Sequence, residues 1–212
     1  MKLLFLLPLA VLLFTRSCAQ RNTTTPGKVG GPCEGCEAIF ESPMALHKLS
    51  WIDTLPDFHD PGPKLMVRGI IYQADGKTPA PDVVLYIYHT DQTGRYPTKK
   101  TSAGWGKRHG YIRGWVRTNA AGAYAFYTLK PGAYPGGGNP AHIHATIKEP
   151  DKNEYYIEDF LFDNDPYLTK KERDRREDRG GNGILVLKEK NGIAEATRDI
   201  ILGRNIPGYP VQ

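Results

Sequence analysis

From residue 65 onward, apolar residues occur in short runs that often alternate with polar residues and end at turn sequences. Alternation with a period of two places one face of a strand in a core and the other toward solvent. Seven segments have this character: Leu65–Gln73, Val83–Thr90, Ala123–Leu129, Ala141–Lys148, Tyr155–Phe162, Gly183–Lys188 and Ala196–Leu202. The pattern predicts an all-β fold, an antiparallel β-sandwich of about seven or more short strands.

One segment departs from the strand pattern and predicts a short charged helix. Thr169 to Arg179 holds six basic and four acidic residues, and Thr169 with Glu172 fits the capping box S/T-x-x-E. We expect this helix to be solvated and to end at Gly180-Gly181. A basic binding patch is the alternative, but acidic residues interleave with the basic ones and argue against it.

The N-terminus predicts export. Lys2 precedes a 12-residue apolar run, Leu3 to Phe14, which is shorter than the roughly 20 residues that a membrane span needs. Small residues follow at Ser17-Cys18-Ala19, so residues 1–19 are predicted to be a signal peptide of a periplasmic or secreted protein. A buried core helix is one alternative, and a lipid anchor at Cys18 is another. No transmembrane span is predicted.

Residues 20–62 contain few periodic runs, which predicts an extended leader ahead of a sandwich over residues 63–212. The leader holds a C-x-x-C pair, Cys33 and Cys36, in a Gly/Pro-rich stretch. Such a pair can also be a redox dithiol or half of a zinc site, but a zinc site needs two more ligands. Because export places the chain in an oxidising compartment, we expect a structural Cys33–Cys36 disulfide.

Composition and charge narrow the class of protein without identifying it. The 212 residues include 23 Gly, 17 Pro and 10% aromatic residues, which favours one folded domain over a disordered, collagen-like or long helical chain. The net charge of +5 falls to +3 when residues 1–19 are removed, because Lys2 and Arg16 leave with them. This small, mixed charge predicts no nucleic-acid partner.

The sequence His142-Ile143-His144 is the first candidate for chemistry. Residues two apart on a strand share a face, so both imidazoles can reach one metal ion while Ile143 points to the apolar layer. A pair of surface or packed histidines is the alternative. The other histidines lack partners at ligand spacing: His47, His59 and His109 are expected at the surface, and His89 packed or hydrogen-bonded near the site. We expect Trp115 in the core.

Two tyrosines stand near this pair in segments that turns and prolines constrain. Tyr96 precedes Pro97, and Tyr134 lies between Gly132 and Pro135. Each alone is more typical of a strand end or a turn than of a ligand. Because a phenol has a pKa near 10, two phenolates at neutral pH need a strongly acidic ion, and imidazole with anionic oxygen suits ferric iron.

The residues around these four positions resemble the intradiol ring-cleavage dioxygenases, which include catechol and protocatechuate dioxygenases. The resemblance runs from about Val67 to Ile147 and more loosely to Ile201. The motifs that carry it are His89-Thr90-Asp91-x-x-Gly94-x-Tyr96, Arg113-Gly114-x-x-x-Thr118-x-x-x-Gly122-x-Tyr124-x-Phe126, Thr128-x-x-Pro131-Gly132-x-Tyr134-Pro135 and Pro140-Ala141-His142-Ile143-His144. The family fold is a β-sandwich, in agreement with the strand pattern.

The resemblance implies a function and a ligand set. Tyr96, Tyr134, His142 and His144 would bind a non-haem Fe(III) ion, and Tyr134 would also be catalytic by accepting a substrate proton. The implied substrates are O2 and a small aromatic diol, a catechol. The bond between its two hydroxyl-bearing carbons would break to give a muconate-type diacid. The sequence leaves open whether the protein forms a homo-oligomer.

The chain also departs from the family pattern. Asn139 stands where the family usually has an arginine before Pro-x-His-x-His, so Arg95, Arg113 and Arg117 become candidates for the missing cation. The helical dimerisation region of the cytoplasmic catechol enzymes has no counterpart in residues 20–62. These departures keep an alternative open, a non-catalytic exported β-sandwich that serves as a binding module. A copper or zinc sandwich using His142 and His144 leaves both tyrosines unexplained.

Overall fold

A computed structural model describes residues 28–210; the predicted signal peptide 1–19 and the alternative lipid site Cys18 lie outside them. Within these residues no helix is both long and apolar enough to cross a bilayer. The described chain forms eleven strands: β1 (Ile52–Thr54), β2 (Lys64–Tyr72), β3 (Val84–His89), β4 (Arg113–Arg117), β5 (Ala123–Leu129), β6 (His142–Lys148), β7 (Tyr155–Phe162), β8 (Ile184–Leu185), β9 (Lys188–Lys190), β10 (Ile193–Thr197) and β11 (Ile200–Ile201).

The strands form two sheets that enclose one core, which confirms the predicted all-β sandwich. One sheet has the order β1-β5-β2-β10-β9, with β11 pairing to the far end of β2, and the other has the order β4-β3-β6-β7-β8. The long central pairs are antiparallel. Four pairs that involve a strand of five residues or fewer are parallel, so both sheets are mixed. The predicted antiparallel pairing therefore holds for the long central pairs and not for these four, because alternation within a strand carries no information on its partner's direction.

The core lies between the facing sheets and follows the alternation of the strands. In β6, Ile143 and Ile147 are 0% exposed and point inward, while His142 and His144 lie on the other face. Residues at every second position of β2 and β3 complete the layer: Leu65, Val67, Ile71, Leu85 and Ile87. The same alternation that builds the core therefore places both histidines together on the outer face of the second sheet.

The leader covers part of that outer face. Val84 and Tyr86 of β3 pack with Ile39 and Trp115 in a second apolar cluster. The indole Nε1 of Trp115 donates a hydrogen bond to the carbonyl oxygen of Ile39 at 3.0 Å. Trp115 is 8% exposed, so its predicted core position is confirmed.

Residues 28–62 are more structured than the extended leader expected from the sequence. They contain two 3₁₀ helices, Cys36–Glu41 and Leu46–Lys48, and the strand β1, which pairs with β5 of the first sheet. A disulfide joins Cys33 to Cys36, the first residue of the first 3₁₀ helix. One six-residue 3₁₀ helix and two three-residue elements are too short to show a clear period, which explains why they were not predicted.

The predicted charged helix is present but shorter than expected. Helix α1 spans Lys170–Asp174, and the Thr169 hydroxyl accepts a hydrogen bond from the Glu172 amide at 3.3 Å, as the capping box predicts. The helix ends before Arg176 because the following residues run back along β7. There Arg176 and Arg179 are nearly buried and paired with glutamates.

Candidate metal centre

The four residues predicted as ligands come together on one side of the second sheet. His142 and His144 project from β6 at the position where its pairing with β7 shifts register, between Ile143 and Ala145. Both histidines are half-buried, and the inward residues Ile143 and Ala145 anchor the strand in the core. The local fold therefore positions two imidazoles side by side on a rigid element.

Two loops bring the tyrosines to these histidines. Tyr96 follows the turn Asp91–Gly94, in which the Gly94 amide donates to the Asp91 carbonyl at 3.0 Å. Gly94 has a φ of +75°, and a Cβ there would lie 1.9 Å from the carbonyl oxygen of Ala133. Glycine is thus required both for the turn and for the contact between the Tyr96 and Tyr134 loops.

The donor atoms of the four side chains converge. Tyr96 Oη lies 2.7 Å from Tyr134 Oη and 2.9 Å from His144 Nε2. Tyr134 Oη lies 3.1 Å from His142 Nε2, and the two histidine Nε2 atoms are 3.1 Å apart. Ligand atoms that share one first-row ion at about 2.0–2.1 Å lie about 3 Å from one another. The spacing therefore fits a single ion.

Hydrogen bonds on the far side of each imidazole set its tautomer. His142 Nδ1 lies 2.7 Å from the carbonyl oxygen of Pro140, which can only accept, so this nitrogen carries the proton. His144 Nδ1 lies 3.0 Å from Asp159 Oδ1 and donates to that carboxylate. Each neutral imidazole then presents a bare Nε2 lone pair to the centre, as metal-binding histidines do.

The four close contacts cannot all be hydrogen bonds. Two tyrosine hydroxyls supply at most two hydrogens, and neither Nε2 atom carries one in these tautomers. At least two of the four contacts therefore set one lone pair against another. A cation at the centre converts this repulsion into attraction, so the donor set fits a bound metal ion.

The protonation states indicate what kind of ion the centre suits. Burial raises the pKa of the Tyr96 phenol far above its ordinary value, and the hydrogen bond with Tyr134 adds to this effect. Burial also raises the pKa of Tyr134 and lowers that of His142, so without an ion the phenols and the imidazole are neutral. Two phenolates here need an ion of high charge.

Asp159 belongs to the site although the sequence did not indicate it. It lies on β7 beside β6, and with His142 and His144 it forms a group of three potential metal ligands within 4.8 Å of one another. Burial opposes its ionisation, but His144 more than offsets this and holds the pKa of the Asp159 carboxyl below its ordinary value. Because Asp159 accepts the hydrogen bond from His144 Nδ1, it orients that imidazole. The proximity of Asp159 to His144 follows only from the pairing of β6 with β7.

An aromatic column supports the other side of His144. The Tyr88 ring stacks on His144 with centroids 4.5 Å apart and on His109 with centroids 3.7 Å apart. His109 is 5% exposed, and its Nδ1 lies 2.9 Å from the Tyr86 hydroxyl. The prediction that His109 is a surface residue was therefore wrong, because its partners are distant in sequence and meet it only in the folded sheet.

We expect His109 to make the protein less stable in mild acid. Burial lowers its pKa from 6.5 to about 4, so between these values the unfolded chain binds more protons and stability falls as the pH falls. Between pH 7 and pH 5 the loss is on the order of 2 kcal/mol. Urea unfolding at both pH values should show a smaller loss in His109→Gln, whereas the exposed His47→Gln should behave as wild type. Equal losses in all three proteins would contradict this assignment.

The remaining predicted residues lie where they cannot be ligands. His89 is fully buried, with its Nδ1 2.7 Å from the Thr90 carbonyl oxygen and its Nε2 2.7 Å from the Thr128 hydroxyl. This agrees with the expectation that it packs near the site. The exposed His47 and His59 match their prediction.

Two cavities open onto the centre. The larger, about 630 Å³, is lined by Tyr134, His142 and His144 together with Asn139 and Leu161. The smaller, about 350 Å³, reaches His144 from the side of the disulfide loop. A third cavity of about 730 Å³ lies between the leader and β4 and touches none of the four residues. The cavity at Tyr134 is therefore the candidate binding pocket.

The match to a known family identifies the family to which the chain belongs. Residues 42–174 match the family model described as "Dioxygenase", which is more than half of the chain. The chain belongs to the intradiol ring-cleavage dioxygenase family. The resemblance noted in the sequence is thereby confirmed.

Two intradiol dioxygenases share 28% identity with this chain over about half of its length. Catechol 1,2-dioxygenase 2 of Acinetobacter lwoffii aligns over 131 residues, 54% of this chain and 45% of the relative. The protocatechuate 3,4-dioxygenase beta chain of Burkholderia cepacia aligns over 114 residues, 51% of this chain and 48% of the relative. The matched region thus spans about half the length of each of these relatives.

Solved structures of intradiol dioxygenases share the fold. The dioxygenase domain of a carbohydrate-binding fusion protein from Streptomyces sp. SirexAA-E has a TM-score of 0.56 at 24% identity, covering 70% of this chain and 85% of that chain. The intradiol ring-cleavage dioxygenase from Tetranychus urticae has a TM-score of 0.52 at 22% identity, covering 76% and 90%. Catechol 1,2-dioxygenase from Acinetobacter sp. ADP1 gives 0.54 at 22%, covering 77% and 61%.

Proposed function

We propose that this protein is an exported non-haem Fe(III) intradiol dioxygenase that uses O2 to cleave a small catechol between its two hydroxyl-bearing carbons. The product is a muconate-type diacid. The observation that carries the proposal is the convergence of two phenol oxygens and two bare imidazole nitrogens within about 3 Å of one another. Membership of the dioxygenase family supports the same conclusion.

Tyr96, Tyr134, His142 and His144 would hold the ion, which supplies Lewis acidity toward a catecholate and orients it toward O2. Tyr134 lines the larger cavity and Tyr96 does not, so Tyr134 Oη is the phenol oxygen placed to accept a proton from a substrate hydroxyl. Asp159 keeps the His144 ring oriented throughout, because its carboxylate accepts the hydrogen bond from Nδ1–H. The apolar walls at Leu161 and Pro140 exclude water from one side of the substrate ring.

Position 139 favours a second candidate function, a non-catalytic binding module on the same scaffold. Asn139 is an exposed wall residue of the larger cavity, where the family arginine is expected to stabilise charge on the substrate ring. Neither Arg113 nor Arg117 replaces it, because Arg113 pairs with Glu41 at 2.8 Å and Arg117 with Asp82 at 2.6 Å, away from the centre. Arg95 is exposed and does not line this cavity.

Oxygen uptake with product analysis separates the two functions. With catechol, the iron-loaded protein should consume one O2 per ring and release a diacid that carries both oxygen atoms, about one atom of label on each carboxyl from isotopic O2. Tyr134→Phe should keep the fold and slow turnover by roughly 10²–10⁴-fold, since it removes the proton acceptor. A protein that binds iron and catechol but takes up no O2 would favour the binding module.

A further inference from the structure

Carboxylates dominate the charged walls of the two cavities that reach the centre. Among the described residues, five acidic side chains line one cavity or both: Glu34, Glu158, Asp159, Glu172 and Glu177. The cations that line them are Arg175 and Arg176, both in the larger cavity. A ligand that approaches the ion through either cavity thus passes more negative than positive side chains, which disfavours anionic ligands.

Both arginines that line the larger cavity are already paired with glutamates, Arg176 near the protein interior and Arg175 at the exposed rim. Arg176 Nη2 lies 3.0 Å from Glu158 Oε2 and also donates to the Asp159 carbonyl oxygen at 3.4 Å, and its side chain is 9% exposed. Arg175 points to Glu172 on the helix, where the two form an ion pair. A carboxylate on the substrate would therefore have to share a cation with one of these glutamates, next to a like charge.

Guanidinium nitrogens without partners do not change this conclusion. Arg176 Nε and two nitrogens of Arg198 lack hydrogen-bond partners, but all three atoms are buried. Arg198 is 3% exposed, donates from Nη1 to the Glu158 carbonyl oxygen at 2.7 Å and lies over the Phe160 ring. Because all three nitrogens are buried, they are out of reach of a ligand in the cavity.

Part of the wall of the larger cavity is uncharged. Asn139 contributes an amide, and Pro140 and Leu161 contribute apolar surface next to His142. An anionic group placed here would lose its water without gaining a matched cation, which is unfavourable, whereas a neutral group would not. An ammonium group would meet glutamates that are themselves paired with arginines, but acidic side chains outnumber basic ones among the lining residues, so the walls would not repel it.

We propose that this site takes catechols whose ring is unsubstituted or carries an uncharged or ammonium-bearing group, and discriminates against catechols with a ring carboxylate. The inference rests on the proposed function, since it concerns the substrate of the same centre.

A series of matched ligands tests the inference by binding. Iron-loaded protein is titrated without O2 with catechol, 3,4-dihydroxybenzoate, 3,4-dihydroxybenzamide and 4-(2-aminoethyl)catechol, and followed by its visible spectrum and by calorimetry. The benzamide matches the benzoate in size and lacks its charge. We expect the benzoate to bind roughly 10- to 100-fold more weakly than the benzamide, and the aminoethyl compound about as tightly as catechol or more tightly.

A pair of variants tests the assigned residues. Glu158→Gln leaves Arg176 without its partner, so the benzoate-to-benzamide affinity ratio should shift toward the benzoate by about 10-fold. Asp163→Asn also removes one acidic charge, but Asp163 is exposed, pairs with Arg173 and lines neither cavity, so the ratio should not change. Because each ratio is measured on one protein, losses of folded protein cancel.

The outcomes separate this inference from the proposed function. Benzoate binding as tight as the benzamide, or tighter, overturns the charge preference while leaving the dioxygenase proposal intact. Equal rejection of benzoate and benzamide shows a limit of size and also overturns it. Failure of every catechol to perturb the iron-loaded protein overturns the proposed function, and the inference with it.

Discussion

Replacing His144 with alanine is expected to release the metal ion while the sandwich stays folded. The change removes one of four donor atoms and leaves Tyr96 Oη without its 2.9 Å partner. We expect metal affinity to fall by more than about 100-fold, since even the loss of an outer hydrogen-bonding partner of a ligand costs 10- to 100-fold. The side chain of His144 is 27% exposed, so the fold should survive. Metal analysis after dialysis against a weak chelator measures the effect.

His47→Ala is the control for this experiment. His47 is an exposed residue of the second 3₁₀ helix and lies in none of the three cavities described above, so it should retain metal as wild type does. Full metal content in His144→Ala, with circular dichroism unchanged, would refute the ligand assignment.

Asp159→Asn should give an intermediate loss of metal affinity, because it weakens the hydrogen bond that orients His144 without removing a donor to the centre.

Replacing Gly94 with alanine should disrupt the centre from a distance. A Cβ at residue 94 would meet the Ala133 carbonyl oxygen at 1.9 Å and Tyr134 Cα at 3.1 Å, so the Tyr96 and Tyr134 loops must separate. The alanine must also adopt a φ of +75°. We expect a loss of about 2–4 kcal/mol in unfolding free energy, and weaker metal binding because the phenol oxygens no longer lie 2.7 Å apart.

Gly192→Ala isolates the contact from the backbone strain. Gly192 has a φ of +78°, but nothing lies within 4 Å of a Cβ built there. This variant should lose only about 1 kcal/mol and keep its metal. Urea unfolding and metal titration of both variants measure the difference; equal losses, or unchanged metal binding in Gly94→Ala, would show that the loop contact does not position the tyrosines.

The sequence predicted the long strands well because their alternation is set by one core face. The bounds of β5 and β7 agree with the predicted segments. Those of β2, β3 and β6 differ from the predicted segments by no more than one residue at either end. β4 was missed because Gly114 and its flanking arginines interrupt the apolar run, although a Cβ at Gly114 would meet the Leu55 side chain at 2.4 Å. Gly183–Lys188 proved to be parts of two strands, since the chain changes sheets there.

Prediction of the site depended on how local each signal was. His142 and His144 were found from their spacing on one strand, which is a local property. Tyr96 and Tyr134 were recognised as candidate ligands only from the order of four motifs along the chain. Asp159 and Tyr88 were missed as site residues because the pairing of β3, β6 and β7 brings them to His144, and no spacing in the sequence encodes that register. His109 was missed because it reaches the site only by stacking on Tyr88.

The visible spectrum and iron content of the purified, iron-reconstituted protein test the central claim most directly. Two tyrosinates on a ferric ion predict about one iron per chain and a broad visible band that gives a burgundy colour, weakened in Tyr96→Phe and in Tyr134→Phe. A colourless wild-type protein that holds no iron after reconstitution would contradict the assignment of Tyr96, Tyr134, His142 and His144 as its ligands.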